Sequence, residues 1–237
     1  MANDSKKILG KTIIITGVAG NLGQAVAKKF NNEGYNVIGT IHTQSSVEHS
    51  INNSFEEVHL DLLNEEDSLN FVTDVVARFE KIDIAVLTAG GFTKGDIDAA
   101  KTEDLYKQYQ LNFETAYNVV RPVFMQMKKQ NSGRIFLIGS RQGLDASIGK
   151  GTIAYSLSKS LLFRLAEIMN AEMKGKNVVT NIIVPGTIDT PQNRASMPES
   201  DFGSWVTPDQ IADVIFFYSG EEADVLREPV IKVYNKA

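Results

Sequence analysis

Residues 11–34 read KTIIITGVAGNLGQAVAKKFNNEG, and the order of their parts decides the fold. The run KTIIIT, residues 11–16, is short, apolar and β-branched, as a buried strand is. A glycine-rich turn follows, and then LGQAVAKKFNN keeps a helical period until Gly34 stops it. In such a turn Gly17 allows the tight bend, and Gly20 removes a side chain where phosphate oxygens would approach. Asn21 and Leu22 open the helix, and Gly23 lets it pack close on the strand with its N-terminus facing a pyrophosphate. Strand, glycine turn and helix in this order are the context of dinucleotide binding; a turn that merely joins strand to helix is the plainer alternative.

The same alternation continues outward. Residues 36–40, NVIGT, form a second strand, and the positions just past it face the adenosine ribose in a nucleotide-binding unit. Here they are Ile41, His42, Thr43, Gln44, Ser45 and Ser46, with no acid to hold a ribose 2′-hydroxyl and repel a 2′-phosphate. That points to NADP rather than NAD, with His42 and the small polar residues as phosphate contacts; a solvated loop histidine is the other reading. A third strand over residues 56–60 leads to Asp61 and Leu62, where a carboxylate or backbone amide can meet an adenine ring. Asn64 then caps a helix whose acidic first turn suits the helix dipole and is no metal site. Residues 82–88, IDIAVLT, are nearly all apolar, as a central parallel strand should be. They end in Ala89, Gly90 and Gly91, small residues where a cofactor needs room.

Residues 105–129 carry one long helical pattern, and Pro122 inside it predicts a kink or a break. Asn112 lies on that helix among apolar neighbours, positioned to bond a backbone carbonyl and also to hold a water for proton relay. Residues 133–138 form the next strand, with Ser140 just past its C-terminal end, and ligands of open parallel sheets lie outside those ends. Tyr155 and Lys159 then stand one turn apart on one face of an amphipathic helix over residues 154–174. A phenol is a poor acid or base at neutral pH, and a nearby cation lowers its pKa, so the pair can exchange a proton with a substrate oxygen; Tyr-x-x-x-Lys also occurs on helices without chemistry. A strand over residues 178–184 ends in Pro185, Gly186, Thr187, Ile188, Asp189 and Thr190.

Residues 191–206, PQNRASMPESDFGSWV, show little periodicity and lie at the ligand edge, which predicts a lid or substrate loop within about residues 187–206. Phe202 and Trp205 on its flank either shape a flat pocket or pin the loop to the core. A helix then starts at Thr207, Pro208 and Gln210 with a capping-box pattern, and residues 229–234 supply a last strand. The expected architecture is a single-domain α/β fold over residues 1–237, a Rossmann-like doubly wound parallel sheet flanked by helices.

Composition narrows the function classes. The formal net charge is -5 with three histidines, which argues against a nucleic-acid surface. There is no cysteine, hence no disulfide, thiol nucleophile or thiolate metal site. The N-terminus MANDSKKILGK has no apolar signal region, and no run reaches the ~20 apolar residues of a membrane span, so a cytoplasmic protein acting on a small molecule is expected.

With these pieces placed, the chain resembles the short-chain dehydrogenase/reductase family over nearly its full length. The residues that carry the likeness are Thr16 and Gly17 to Gly23, Thr88, Ala89 and Gly90, Asn112, Ser140, Tyr155 with Lys159, and Pro185 with Gly186. The resemblance implies an NAD(P)(H)-dependent oxidoreductase with Tyr155 as general acid/base. Lys159 would bind the nicotinamide ribose and lower the tyrosine pKa, Ser140 would hold the substrate oxygen, and Asn112 would position a relay water. Thr187, Ile188 and Thr190 match the segment that anchors the carboxamide, and the family implies homodimers or homotetramers packed through the helices at Leu105 and Ala154.

The loop is similar to that of the dihydropteridine reductase branch, where LDTPMNRKSMPEADFSSW corresponds to IDTPQNRASMPESDFGSW at residues 188–205. That branch implies a flat dihydropteridine-like substrate. It carries an aspartate where this chain has His42, and it lacks the active-site serine and helix asparagine present here as Ser140 and Asn112. A complete set of Asn, Ser, Tyr and Lys suits a small carbonyl or alcohol compound, so two substrate classes stand; a dinucleotide-binding sensor without turnover is the rival outside enzymology.

Overall fold

The computed structural model of the protein describes residues 10–43 and 55–236. Gln44, Ser45 and Ser46, named above as phosphate contacts, lie outside the described residues. Among the described residues, seven strands form one parallel sheet: β1 (Thr12–Thr16), β2 (Asn36–Ile41), β3 (Glu56–His59), β4 (Ile84–Leu87), β5 (Ser132–Ile138), β6 (Asn177–Pro185) and β7 (Val230–Val233). Their order is β3-β2-β1-β4-β5-β6-β7, so the chain reverses its direction of travel across the sheet between β1 and β4. A crevice opens at such a switch point, outside the C-terminal ends of the strands.

The helices are α1 (Asn21–Asn32), α2 (Glu65–Phe79), α3 (Thr102–Tyr109), α4 (Thr115–Gln130), α5 (Arg141–Leu144), α6 (Ile153–Glu172), α7 (Pro191–Ser196) and α8 (Pro208–Ser219). They cover both faces because side chains alternate along each strand. Ile13, Ile15, Val37, Ile41, Ile84 and Val86 face α1 and α8, burying Val26, Phe30, Ile211 and Ile215. Ile14, Ile38, Ala85, Ile135 and Leu137 face α2, α4 and α6, burying Phe71, Val119, Val123, Leu162 and Phe163. This double coverage is why the central strands are apolar throughout instead of alternating.

Two expectations are corrected. The long helix does not break at Pro122; α4 runs through it from Thr115 to Gln130. Pro122 is buried, and Asn118 ties α4 to the turn after β3 by donating to Leu62 O at 2.9 Å. The irregularity lies upstream, in a π-helical turn over Gln110–Glu114. There the Thr115 N–H donates to Gln110 O, one residue further back than in an α-helix, and Thr115 Oγ1 donates to the displaced Leu111 O at 2.8 Å. Nor is the segment after β6 wholly irregular: Thr190 Oγ1 accepts from Asn193 N at 3.2 Å, and Pro191 opens the short helix α7. A helix this short leaves little periodicity to read.

Candidate active site

Most predicted site residues among those described follow the C-terminal ends of the strands; Asn21, Leu22 and Gly23 open α1, Asn112 sits in the π-helical turn, Tyr155 and Lys159 lie on α6, and Trp205 stands at the end of the segment after β6. Gly17 has φ +71, and its N–H donates to Thr40 O at 3.0 Å, joining the turn to the end of β2. At Gly23 a Cβ would stand 2.4 Å from Gly17 O, so only glycine allows α1 to start this close to β1. No side chain caps α1, and its first turn contains no acid. Its leading N–H groups and dipole therefore suit an outside anion, and the residues present fit the pyrophosphate of a dinucleotide. Asn21, first in the helix, donates from Nδ2 to Gln192 Oε1 at 3.1 Å, which links the turn to α7.

At the adenosine end, His42 follows β2 and is exposed. Asp61 Oδ1 accepts from Leu63 N at 3.0 Å, and Leu62 is buried. Ala89 N donates to Thr16 Oγ1 at 3.2 Å, fixing the turn after β4 to the end of β1. Gly90 and Gly91 continue that turn, and Leu111 Cδ2 stands 2.7 Å from where a Cβ on Gly91 would be.

Ser140 lies two residues past the end of β5 and caps α5, its Oγ accepting from Gly143 N at 3.0 Å. It is buried, and its hydroxyl acts on the Tyr155 phenol in the direction that favours the phenolate. Gly143 allows α5 to lie against α6, since a Cβ there would meet Lys159 Cβ at 2.8 Å. Lys159 is buried and donates from Nζ to Ile138 O at 2.8 Å. Burial lowers its pKa to about 8. Tyr155 behaves otherwise than expected: burial pushes its phenol above the ordinary value, and the Ser140 hydroxyl pulls it only partly back. The predicted lowering by Lys159 does not prevail, because desolvation penalises the phenolate and the ammonium is turned to the Ile138 carbonyl.

Asn112 falls in the π-helical turn and is 1% exposed. Its Oδ1 accepts from Gly91 N at 3.0 Å and its Nδ2 donates to Gly91 O at 3.0 Å, so one amide holds both polar groups of one residue. The same Nδ2 lies 3.0 Å from Gln108 Oε1 and 3.1 Å from Ser158 Oγ.

After β6, Gly186 N donates to Val233 O at 2.8 Å, while Val206 N donates to Thr187 O at 3.0 Å and Asp189 N to Val206 O at 2.8 Å. Ile188 O accepts from Asn193 Nδ2 at 2.8 Å, and Arg194 pairs bidentately with Asp189 at 2.6 and 2.7 Å. Residues 187–206 are thus fastened at their base. Trp205 is 6% exposed, its ring 4.8 Å from that of Phe202, and Asn235 Nδ2 donates to its carbonyl at 2.6 Å; it pins the segment.

Three neighbours of the site went unread in the sequence. Phe92 is 55% exposed and meets Tyr155 edge to face, centroids 4.9 Å apart. Its signal was a bulky aromatic directly after two glycines at a strand end. Gln108 stands four residues before Asn112, and that spacing was its signal. Ser158 was visible within Tyr-Ser-Leu-Ser-Lys, and nothing local connected it to Asn112.

Chemically, the arrangement brings a half-buried phenol, a buried hydroxyl and a buried amine to one end of the sheet, beside a turn suited to a dinucleotide. Among the described residues, no helix is long and apolar enough to cross a membrane. A family model described as short chain dehydrogenase matches residues 11–201. The 3-oxoacyl-acyl-carrier-protein reductase FabG of Thermotoga maritima is 25% identical over 242 residues, covering 96% of this chain and 97% of that protein. The acetoacetyl-CoA reductase of an Acinetobacter species is 26% identical over 189 residues, covering 76% and 75%. The ligand-free aldohexose dehydrogenase of Thermoplasma acidophilum has the same fold, with a TM-score of 0.83 at 22% identity over 96% of this chain and 94% of that one. Together with the glycine turn and the Tyr155/Lys159 helix, the match over residues 11–201 means that the chain belongs to the short-chain dehydrogenase family and is an NAD(P)-dependent oxidoreductase.

Proposed function

We propose that the protein reduces the carbonyl of a small ketone with NADPH. The observation that carries this reading is the buried Ser140 hydroxyl acting on the half-buried Tyr155 phenol, with the buried Lys159 one helical turn along. A carbonyl oxygen seated between the two hydroxyls receives a hydrogen bond from Ser140 and the proton from Tyr155, and such proton transfer is worth ~10²–10⁴ in rate. Tyr155 suits the acid role, because burial holds its proton on until the oxygen develops charge. The dinucleotide, when bound, supplies the hydride. Gly17, Gly20, Asn21, Leu22 and Gly23 would hold its pyrophosphate, with His42, Asp61 and Leu62 at the adenosine. Ala89, Gly90, Gly91, Lys159, Pro185, Gly186, Thr187, Ile188 and Thr190 would surround the nicotinamide half. Residues 187–206 then act as the cover over the substrate. NADPH is favoured because none of residues 41–46 is acidic.

The carbonyl reading agrees with the names of the FabG and acetoacetyl-CoA reductase relatives. One observation favours a second substrate, a flat dihydropteridine: the exposed Phe92 ring beside Tyr155 offers an aromatic wall, and the loop at residues 188–205 is similar to that branch. Exposed large side chains on α6, Leu157, Leu161 and Ile168, with Tyr106 on α3 and Tyr117 on α4, support a homo-oligomer, to be read by light scattering.

The test is NADPH and NADH oxidation with an acetoacetyl thioester and with quinonoid dihydropteridine, for the parent and Ser140→Ala. Turnover of the thioester that collapses without Ser140 supports the ketone. Turnover of the pteridine alone, surviving loss of Ser140, replaces it with the second reading.

A further inference from the structure

We infer that Gln108 and Ser158 form a redundant pair of positioning residues that hold the Asn112 amide in its working orientation. Asn112 has two N–H protons and three acceptors within reach. Geometry assigns them: the amide that accepts from Gly91 N at 3.0 Å gives one proton back to Gly91 O at 3.0 Å, and the other is shared by Gln108 Oε1 at 3.0 Å and Ser158 Oγ at 3.1 Å. The Ser158 proton goes to Tyr155 O at 2.8 Å, so its oxygen faces Asn112 as an acceptor.

A turned-over amide would set its oxygen against Gly91 O, Gln108 Oε1 and Ser158 Oγ. Asn112 is 1% and Gln108 6% exposed, so water does not relieve that repulsion, and buried unmade bonds are costly. Either partner alone absorbs the second proton. Without both, one amide proton is orphaned and the orientation rests on Gly91 alone.

Orientation matters to the reaction because Asn112 touches its parts. Asn112 Oδ1 stands 2.6 Å from where a Cβ on Gly90 would be, and Lys159 Nζ 3.3 Å from the same point. The amide oxygen and the Lys159 ammonium therefore border the same spot beside Gly90, and Ser158 carries the contact on to the backbone of Tyr155. The inference rests on the reading of Tyr155 and Lys159 as the reacting pair.

The experiment is a double-mutant cycle with Gln108→Leu, Ser158→Ala and both together, using whichever of the two acceptors the parent turns over. kcat, KM for acceptor, nucleotide affinity and thermal midpoint are measured, with Tyr155→Phe alongside. Each single change is expected to lower kcat by less than about threefold and the double change by more than about thirtyfold, a coupling typical of neighbours sharing a partner, with KM for the acceptor nearly constant. Gln108→Glu in the Ser158→Ala background restores an acceptor and should recover kcat to within about threefold of the parent. Additive losses, or a double variant at parental kcat, overturn the inference. A double variant that fails to fold leaves the decision to the Gln108→Glu, Ser158→Ala protein against Gln108→Leu and Ser158→Ala singly: a loss in it larger than the singles predict overturns redundancy. Parental turnover by Tyr155→Phe would instead sink the reading of the reacting pair.

Discussion

The buried Lys159 ammonium donates to the Ile138 carbonyl at 2.8 Å, and among the described residues no carboxylate pairs with it. Burial alone brings its pKa to about 8, so folding carries a charge penalty there. The unfolded lysine keeps its proton up to ~10.5 whereas the folded one releases it from about 8. Between these values the unfolded chain binds more protons, and stability rises with pH. Below about 8 the penalty, about 3 kcal/mol, is fully present. Above ~10 the raised Tyr155 adds the opposite slope, since the unfolded phenol ionises first. Urea unfolding of Lys159→Met and the parent at pH 7 to 10 should show the variant's relative advantage shrinking from pH 8 to 10. Parallel curves would contradict a desolvated ammonium.

Tyr155→Phe keeps the ring and its edge contact with Phe92 and removes the proton. Turnover should fall at least ~100-fold. The thermal midpoint and nucleotide affinity should stay near those of the parent. Calorimetry with NADPH and a steady-state assay check both halves.

His42→Asp places a carboxylate past β2, where it can accept from a ribose 2′-hydroxyl and repels a 2′-phosphate. The ratio of kcat/KM for NADPH over NADH should fall by about tenfold or more, an electrostatic change on the order of 1.4 kcal/mol. An unchanged ratio would put the discriminating contact elsewhere.

Gly23→Ala drives a methyl to 2.4 Å from Gly17 O and 2.8 Å from Thr88 Oγ1. Overpacking of this kind costs about 1–3 kcal/mol, and relief requires α1 to move off β1. Both the unfolding midpoint and the affinity for the nucleotide should drop. A variant that loses neither would show that α1 can shift freely at this contact.

Local regularities carried much of this into the sequence. Apolar runs alternating with helical periods gave the parallel sheet, and the glycine turn gave the start of α1, because both depend on neighbouring residues only. Pro122 does not end the helix for a complementary reason: helix propensity is a local penalty, and the packing of α4 on α2 and β4 outweighs it. Trp205 kept two readings open until burial showed that it pins its segment.

By itself the sequence determined that Tyr155 and Lys159 share a helix face and that Gly17 to Gly23 join a strand to a helix, since backbone geometry alone sets those distances. Only the tertiary structure decided what those groups meet. Ile138 reaches Lys159 across 21 positions and Ser158 reaches Asn112 across 46, through the placement of α6 and the π-helical turn against β4 and β5. The pKa directions of Tyr155 and Lys159 likewise belong to the fold, because desolvation is produced by every element packed around a group and by no neighbour in sequence.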